Sequence, residues 1–296
     1  MKNNRFVYTI LTPIFICMLV FSMLPILIGL GISLFDYNPL AAESPFVGLG
    51  NFKMLLEDEV FTAALKNTII FVLVTVTLNV VFSLAIAQII SVMRSNKMRS
   101  LMRVIFFMPV VAPMAASSMV WKAMYANKYG LINNILGSLG LPTQNWLGDA
   151  SWVLPAIILF TLWADIGYNI VIFSAGIDGI PSEFIEAAAI DGAGPIRRFF
   201  SITLPLLGRT TAFVVSMTLI SHFQMFAQFE IMTRSAGSSG GGGPNNSGMV
   251  LTLEIYKEAF KYKNMGYASA IAFVLFVIIM IVTVITRRAN RVDWEY

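Results

Sequence analysis

Long apolar stretches punctuate this 296-residue chain. A bilayer core of about 30 Å takes roughly 20 residues of α-helix. The stretches Tyr8–Phe35, Thr68–Met93, Met102–Tyr125, Trp152–Gly176, Thr211–Met232 and Met265–Thr286 all reach that length. The pattern predicts an all-α polytopic membrane protein with about six transmembrane helices. The first stretch is too long for a signal-peptide core, and no small-residue cleavage site follows it, so it reads as a retained span. Pro13 and Pro25 in the first span, and Pro109 and Pro113 in the third, predict kinks of the kind membrane helices tolerate.

Composition agrees with that reading. The chain is 57% hydrophobic and 12% charged, with a mean hydropathy of +0.76. Soluble domains carry about 25% charged residues, so this chain lacks the polar surface to cover a water-soluble globule. A pI near 9.2 raises the question of nucleic acid, but basic residues at the cytoplasmic ends of spans explain it better. With the N-terminus inside, 12 of the 20 Lys and Arg residues lie inside and 8 outside. The contrast is sharpest in the short segments Arg94–Arg99 and Arg287–Arg291, while the acidic run Glu57-Asp58-Glu59 lies outside. Both termini are therefore expected in the cytoplasm. Cys17 and His222 are the only residues of their types, which excludes an intrachain disulfide and cysteine- or histidine-rich metal sites.

Connections of some length lie outside at Asp36–Asn67, Ala126–Ser151 and Arg234–Asn264. The first two carry short amphipathic stretches, Asn51–Leu56 and Tyr129–Leu139; the third holds a Gly/Ser-rich tract that reads as flexible. The large inner loop, Ile177–Leu204, has clear helix punctuation. Ser182 after Pro181 reads as an N-cap, and Glu183 and Glu186 lie near the positive end of the dipole. Ala187, Ala188 and Ala189 keep the helix thin, Gly192 and Gly194 stop it, and Pro195 opens another. A thin, Ala-faced helix suits insertion into a partner's groove; a plain surface helix joining two spans fits the composition equally well.

Here the sequence resembles a known family. Glu186-Ala187-Ala188, Asp191-Gly192-Ala193 and Ile202-Thr203-Leu204-Pro205 resemble the EAA loop of ABC importer permeases, the binding-protein-dependent transport inner-membrane components. Phe46-Val47-Gly48-Leu49-Gly50-Asn51-Phe52, Asn145-Trp146-Leu147-Gly148-Asp149 and Met265-Gly266-Tyr267-Ala268 are similar to segments of carbohydrate-uptake permeases of the MalF/UgpA-like type. The resemblance runs from about Phe46 to about Thr286. It implies the type I importer permease fold: a first helix and outer loop over 1–67, a permease domain over 68–286 with its coupling loop at 177–204, and a cytoplasmic tail over 287–296. It also implies partners: a second permease subunit in a heterodimer, two cytoplasmic ATPase subunits and an extracytoplasmic binding protein, all at a bacterial or archaeal cell membrane. Glu186, Ala187, Ala188, Asp191 and Gly192 would then couple to the ATPase. No Gly-x-x-x-x-Gly-Lys-Ser/Thr loop is present, so ATP and Mg are expected on the partner subunits and no cofactor or catalysis on this chain. The family's Thr-Gly-Gly-Gly-Pro is interrupted here: a Ser/Gly insertion separates Thr233 from Gly241-Gly242-Gly243-Pro244.

An ionisable group inside a span is costly, by about 2.5–3.5 kcal/mol, and is presumed to face a cavity or a partner. Trp163, Asp165, Tyr168 and Asn169 combine ring faces that stack on sugars with groups that bond hydroxyls; a helix-packing network is the equal alternative. Gln224, Gln228 and Glu230, with His222 nearby, form a second candidate path lining, Gln224 and Gln228 being expected on one helix face; interhelical hydrogen bonding is the equal alternative. An ion-gradient transporter using Asp165 or Glu230 is the other functional reading. The missing inverted repeats argue against it. Gly237-Ser238-Ser239-Gly240 matches an intramembrane serine-protease pattern, but a floppy glycine tract does not position a nucleophile.

Overall fold

The computed structural model describes residues 3–234 and 240–289, whose regular elements are helices, with one isolated bridge between Phe35 and Phe46 and no strand among them. Among the described residues, unbroken helices long and apolar enough to cross a membrane are α1 (Tyr8–Ile32), α2 (Glu59–Ser91), α5 (Ala150–Asp178) and α10 (Met265–Ala289). Between them lie α3 (Asn96–Val111), α4 (Met114–Met124), α6 (Ser182–Ile190), α7 (Pro195–Leu206), α8 (Gly208–Phe223) and α9 (Ala227–Thr233). The third span is a pair, α3 and α4, bent by 92°. Pro113 causes this: the residue before a proline is driven out of the helical region, and Ala112 is extended at ψ 137°.

The expected continuous fifth span, Thr211–Met232, is not observed. α8 ends at Phe223, residues 224–226 leave the helix, and α9 starts at Ala227. The break is sustained because Thr252 Oγ1 donates to the freed Met225 carbonyl at 2.6 Å. Before it, α7 and α8 bend by 69° around Leu207. Every side chain from Tyr8 to Ile28 on α1 is exposed, as an apolar helix in lipid or against another chain would be.

The described residues divide into two compact units: residues up to 62 with 254–277, and residues 63–253 with those from 278 on. In the larger unit α2, α5 and α8 meet around Ala87, Phe173 and Val214, all fully buried. α3 comes close against α5 at Gly167, where a Cβ would stand 2.0 Å from the Phe106 carbonyl oxygen and 2.9 Å from Phe107 Cα. Only glycine permits that approach.

The smaller unit is pinned by the motif residues. Asn51 is buried and donates from Nδ2 to the Ser33 and Phe35 carbonyls at 2.8 and 2.9 Å. Tyr267 donates to Asp58 Oδ2 at 2.5 Å, and Asp58 Oδ1 caps α2 by accepting from Val60 N at 2.7 Å. A cavity of about 650 Å³ opens beside them, lined by Asp36, Glu57, Asp58, Glu258, Asn264 and Tyr267. Glu254, 2% exposed, has an Oε2 without a partner among the described residues. Burial, then the charges of Asp58 and Glu258, push its carboxyl up to about 8. Burial also pushes Glu258 up.

Gly167→Ala should destabilise the larger unit by about 1–3 kcal/mol or more through overpacking. Gly137→Ala, in open space within the helix Leu131–Ser138, should be neutral or slightly stabilising. Thermal melting of the purified protein compares the two; equal melting would refute the close-packing account. For Glu254 the sign follows from its raised value. Below 4.5 the carboxyl is neutral folded or unfolded; as pH climbs to about 8 the unfolded chain ionises first and stability falls. Glu254→Gln should therefore melt increasingly above the parent as pH rises from about 5 to about 8. A pH-independent offset would contradict this.

Candidate functional site

α2 places Thr75, Asn79 and Ser83 four residues apart, all fully buried, so they form one polar stripe. Asn169 of α5 gives both Nδ2 hydrogens to other helices: to Asn79 Oδ1 at 2.7 Å and to Thr218 Oγ1 of α8 at 2.9 Å. At the end of α8, His222 is 1% exposed and bridges two helices. Its Nδ1 lies 2.8 Å from Thr75 Oγ1 and its Nε2 lies 3.1 Å from Asp165 Oδ2. The polar chain thus joins the same three helices as the apolar cluster of Ala87, Phe173 and Val214.

The four candidates on α5 separate accordingly. Asn169 is buried and its donors are consumed by packing. Asp165 is partly exposed, at 26% of its side chain, and Tyr168 is exposed beside it. Trp163 lies on another face, since at 3.6 residues per turn it is roughly 160° round the helix from Asp165. Trp163 packs on Trp121 at 5.3 Å, which continues through Tyr125 and Trp146 to Trp152 at ring separations of 5.2 to 5.5 Å. The sequence reading missed Thr75, Asn79, Ser83 and Thr218. The four-residue spacing of the first three within an apolar span was the available signal.

The second polar group is also divided. The break at 224–226 means that Gln224 and Gln228 do not share a helix face: Gln224 is exposed, and Gln228 is 1% exposed. Glu230 turns away to accept from Gly241 N at 3.1 Å and to face Arg234 Nε at 3.8 Å. Thr233 Oγ1 accepts from Gly242 N at 2.6 Å. The Gly241–Pro244 segment therefore folds back onto the end of α9 despite the insertion, whose residues 235–239 lie outside the described residues. Gly241 is required there, because a Cβ would meet Thr233 Oγ1 at 2.7 Å. Lys122 Nζ closes this end by donating to the Ile231 and Arg234 carbonyls, a cation on the negative end of α9.

α6 is the short helix foreseen in the inner loop, with one correction. Pro181 holds the N-cap position without a side-chain bond, and Ser182 is the first helical residue. Gly192, at φ +77°, ends the helix, and Ala193 N returns to Ala188 O at 2.9 Å, a left-handed cap closing two carbonyls. Pro195 opens α7 as expected. Glu186, Ala187, Asp191 and Gly192 are exposed, and only Ala188 is buried. Around them stand exposed apolar side chains that the sequence reading had not named: Phe184, Ile190 (87% exposed), Ile196 and Phe200. Soluble surfaces rarely leave so much apolar area together unless another molecule covers it.

Comparison with known proteins gives a consistent picture. The family model described as "Binding-protein-dependent transport system inner membrane component" matches residues 79–291. The chain is 34% identical to the probable ABC transporter permease protein YurN of Bacillus subtilis, over 94% of this chain and 93% of that one. It is 34% identical to the multiple sugar-binding transport system permease protein MsmF of Streptococcus mutans, over 98% and 96%. It is 32% identical to the trehalose/maltose transport system permease protein MalF of Thermococcus litoralis, over 98% and 95%. In fold it superposes on a chain of a bacterial alginate ABC transporter solved with its alginate pentasaccharide-bound periplasmic protein, with a TM-score of 0.85 at 21% identity, over 98% and 95% of the chains. With its apolar spans this is a multi-pass membrane protein, and it belongs to the inner-membrane component family of binding-protein-dependent transport systems.

Proposed function

We propose that this chain is one permease subunit of an ATP-driven importer of a sugar or oligosaccharide. Its α6 docks on a cytoplasmic ATPase subunit, with two such subunits in the assembly carrying ATP and Mg. A second, related permease completes the path as a heterodimer, and an extracytoplasmic binding protein delivers the solute. Both termini lie in the cytoplasm. ATP binding on the partners moves the Pro181–Pro195 segment and switches the path between inward- and outward-facing states. The observation that carries this reading is α6 itself: a nine-residue helix between spans with Glu186 and Ile190 exposed and its end closed by Gly192. The sugar permeases among the relatives support the carbohydrate assignment. Those relatives lend no support to an ion-gradient transporter.

Within the path we assign Asp165 and Tyr168 to the solute side of α5, with Gln224 beside the break. Glu186→Lys should abolish ATP-dependent uptake, at least tenfold, while membrane insertion persists. Ile190→Asp should weaken ATPase retention by roughly ten- to a hundredfold, since burying such a side chain is worth about 1.5–3 kcal/mol. Copurification of the ATPase with each variant reads this out, and undiminished capture by both would sink the docking role. Asp165→Ala should raise the uptake KM with the complex still assembled. Asn169→Ala should instead lower the melting temperature, by about 0.6–1.7 kcal/mol of stability, as an interhelical bond does. Reversed effects would exchange the two roles.

A further inference from the structure

Hydrogen counting at His222 leads beyond the transport assignment. Thr75 Oγ1 lies 2.6 Å from the Phe71 carbonyl oxygen, with the Val72 carbonyl at 3.4 Å. A carbonyl only accepts, so the single hydroxyl hydrogen of Thr75 points to the backbone of its own helix. His222 Nδ1, 2.8 Å from the same oxygen, must then be the donor and carry a hydrogen. The other nitrogen, Nε2, faces Asp165 Oδ2 at 3.1 Å. With Nδ1 protonated, a neutral ring would present a bare nitrogen to a carboxylate, two lone pairs in contact. A second hydrogen is needed between them.

Two further features decide where that hydrogen belongs. The Phe71 ring stands 6.0 Å from the imidazole, tilted by 40°, at the outer reach of attraction between a cation and an aromatic ring. Asp165 is a quarter exposed while the His222 side chain is fully buried, so the carboxylate keeps access to polar surroundings and the ring charge has a counter-ion within bonding distance. A buried charge persists only when paired and hydrogen-bonded, and both ring N–H groups have acceptors here.

We infer that His222 is a proton-binding site: an imidazolium clamped between Thr75 and Asp165, forming with Asp165 a charge-balanced pair inside the span. The proton is resident, and no proton movement is tied to transport. Its effect falls on Asp165. One oxygen is fixed on the ring, and Oδ1 has no partner among the described residues. Given the path position proposed above, on which this last step rests, Oδ1 is oriented as an acceptor for a solute hydroxyl. His222 is thus a positioning residue.

The test uses the fact that the chain has one histidine. The full-length chain, labelled with ¹⁵N-histidine, purified through a histidine-free tag and placed in lipid nanodiscs, gives the nitrogen signals of this ring alone. The expected spectrum at neutral pH has two protonated nitrogens, and His222→Gln empties it. In Asp165→Asn the amide itself donates to Nε2, so the ring should lose a proton and show one bare nitrogen. A bare nitrogen in the parent protein, at either ring position, would overturn the inference. So would a ring that stays doubly protonated in Asp165→Asn, because Asp165 would not then be its counter-ion. These signals are independent of uptake, so failure of the transport reading and failure of this one are told apart.

Discussion

The amide nitrogen of Asn169 has two hydrogens, and it gives both to neighbouring helices. In a bilayer this bond pair acts as a constraint on register. Hydrocarbon offers no competing partner, so an amide on α5 and its acceptors on α2 and α8 must face one another or remain unsatisfied. The measured worth of such bonds is modest, about 0.6 kcal/mol on average, so they specify more than they stabilise. Dispersion around Ala87, Phe173 and Val214 holds the three helices together, and the polar stripe decides which rotation and shift they adopt. His222, Thr75 and Asp165 occupy positions that this register creates.

The same requirement governs where helices are allowed to break. Opening a helix inside a membrane protein exposes carbonyls, and on either side of α9 specific donors close them. Thr252 takes the Met225 carbonyl between α8 and α9, and Lys122 takes those of Ile231 and Arg234 at the end of α9. Gly241 and Gly242 turn their N–H groups to Glu230 and Thr233. The polar residues around α9 are therefore largely engaged in maintaining an irregular backbone. Glu230, costly as a charge in a span, is accounted for by that task.

What could be read from the chain follows from these scales. Apolar stretches of about 20 residues reveal spans because the bilayer imposes a length, and helix α6 was legible because Pro181, Gly192 and Pro195 punctuate it locally. The break at 224–226 was not legible. It depends on Thr252, which is 27 residues away from the carbonyl it satisfies, and no local signal at Gln224 announces it. Asn169 and Asp165 looked alike as polar residues four apart. Only the positions of Asn79, Thr218 and His222 on other helices separate the amide that is spent on packing from the carboxylate that is half free. The motif residues Asn51 and Tyr267 carried a family resemblance, yet their physical work, pinning backbone and capping-residue contacts, is visible only in three dimensions.

A distinction between fold and function can be drawn from satisfaction itself. Asn169 directs both amide hydrogens inward, to Asn79 and Thr218, and its donors are used up within the chain. Glu186, Asp191 and Ile190 are fully outward, on a helix that buries little more than Ala188, and their chemistry needs another molecule. Asp165 belongs to both groups. Its Oδ2 is held by a buried ring that is itself held by Thr75, and its side chain still reaches the surface. A residue anchored on one atom and open on the other is oriented before any solute arrives, so the entropy of ordering it is lost at folding and not at binding. That is the physical reason to seek selectivity at Asp165 before the exposed Gln224, whose side chain has no comparable anchor among the described residues.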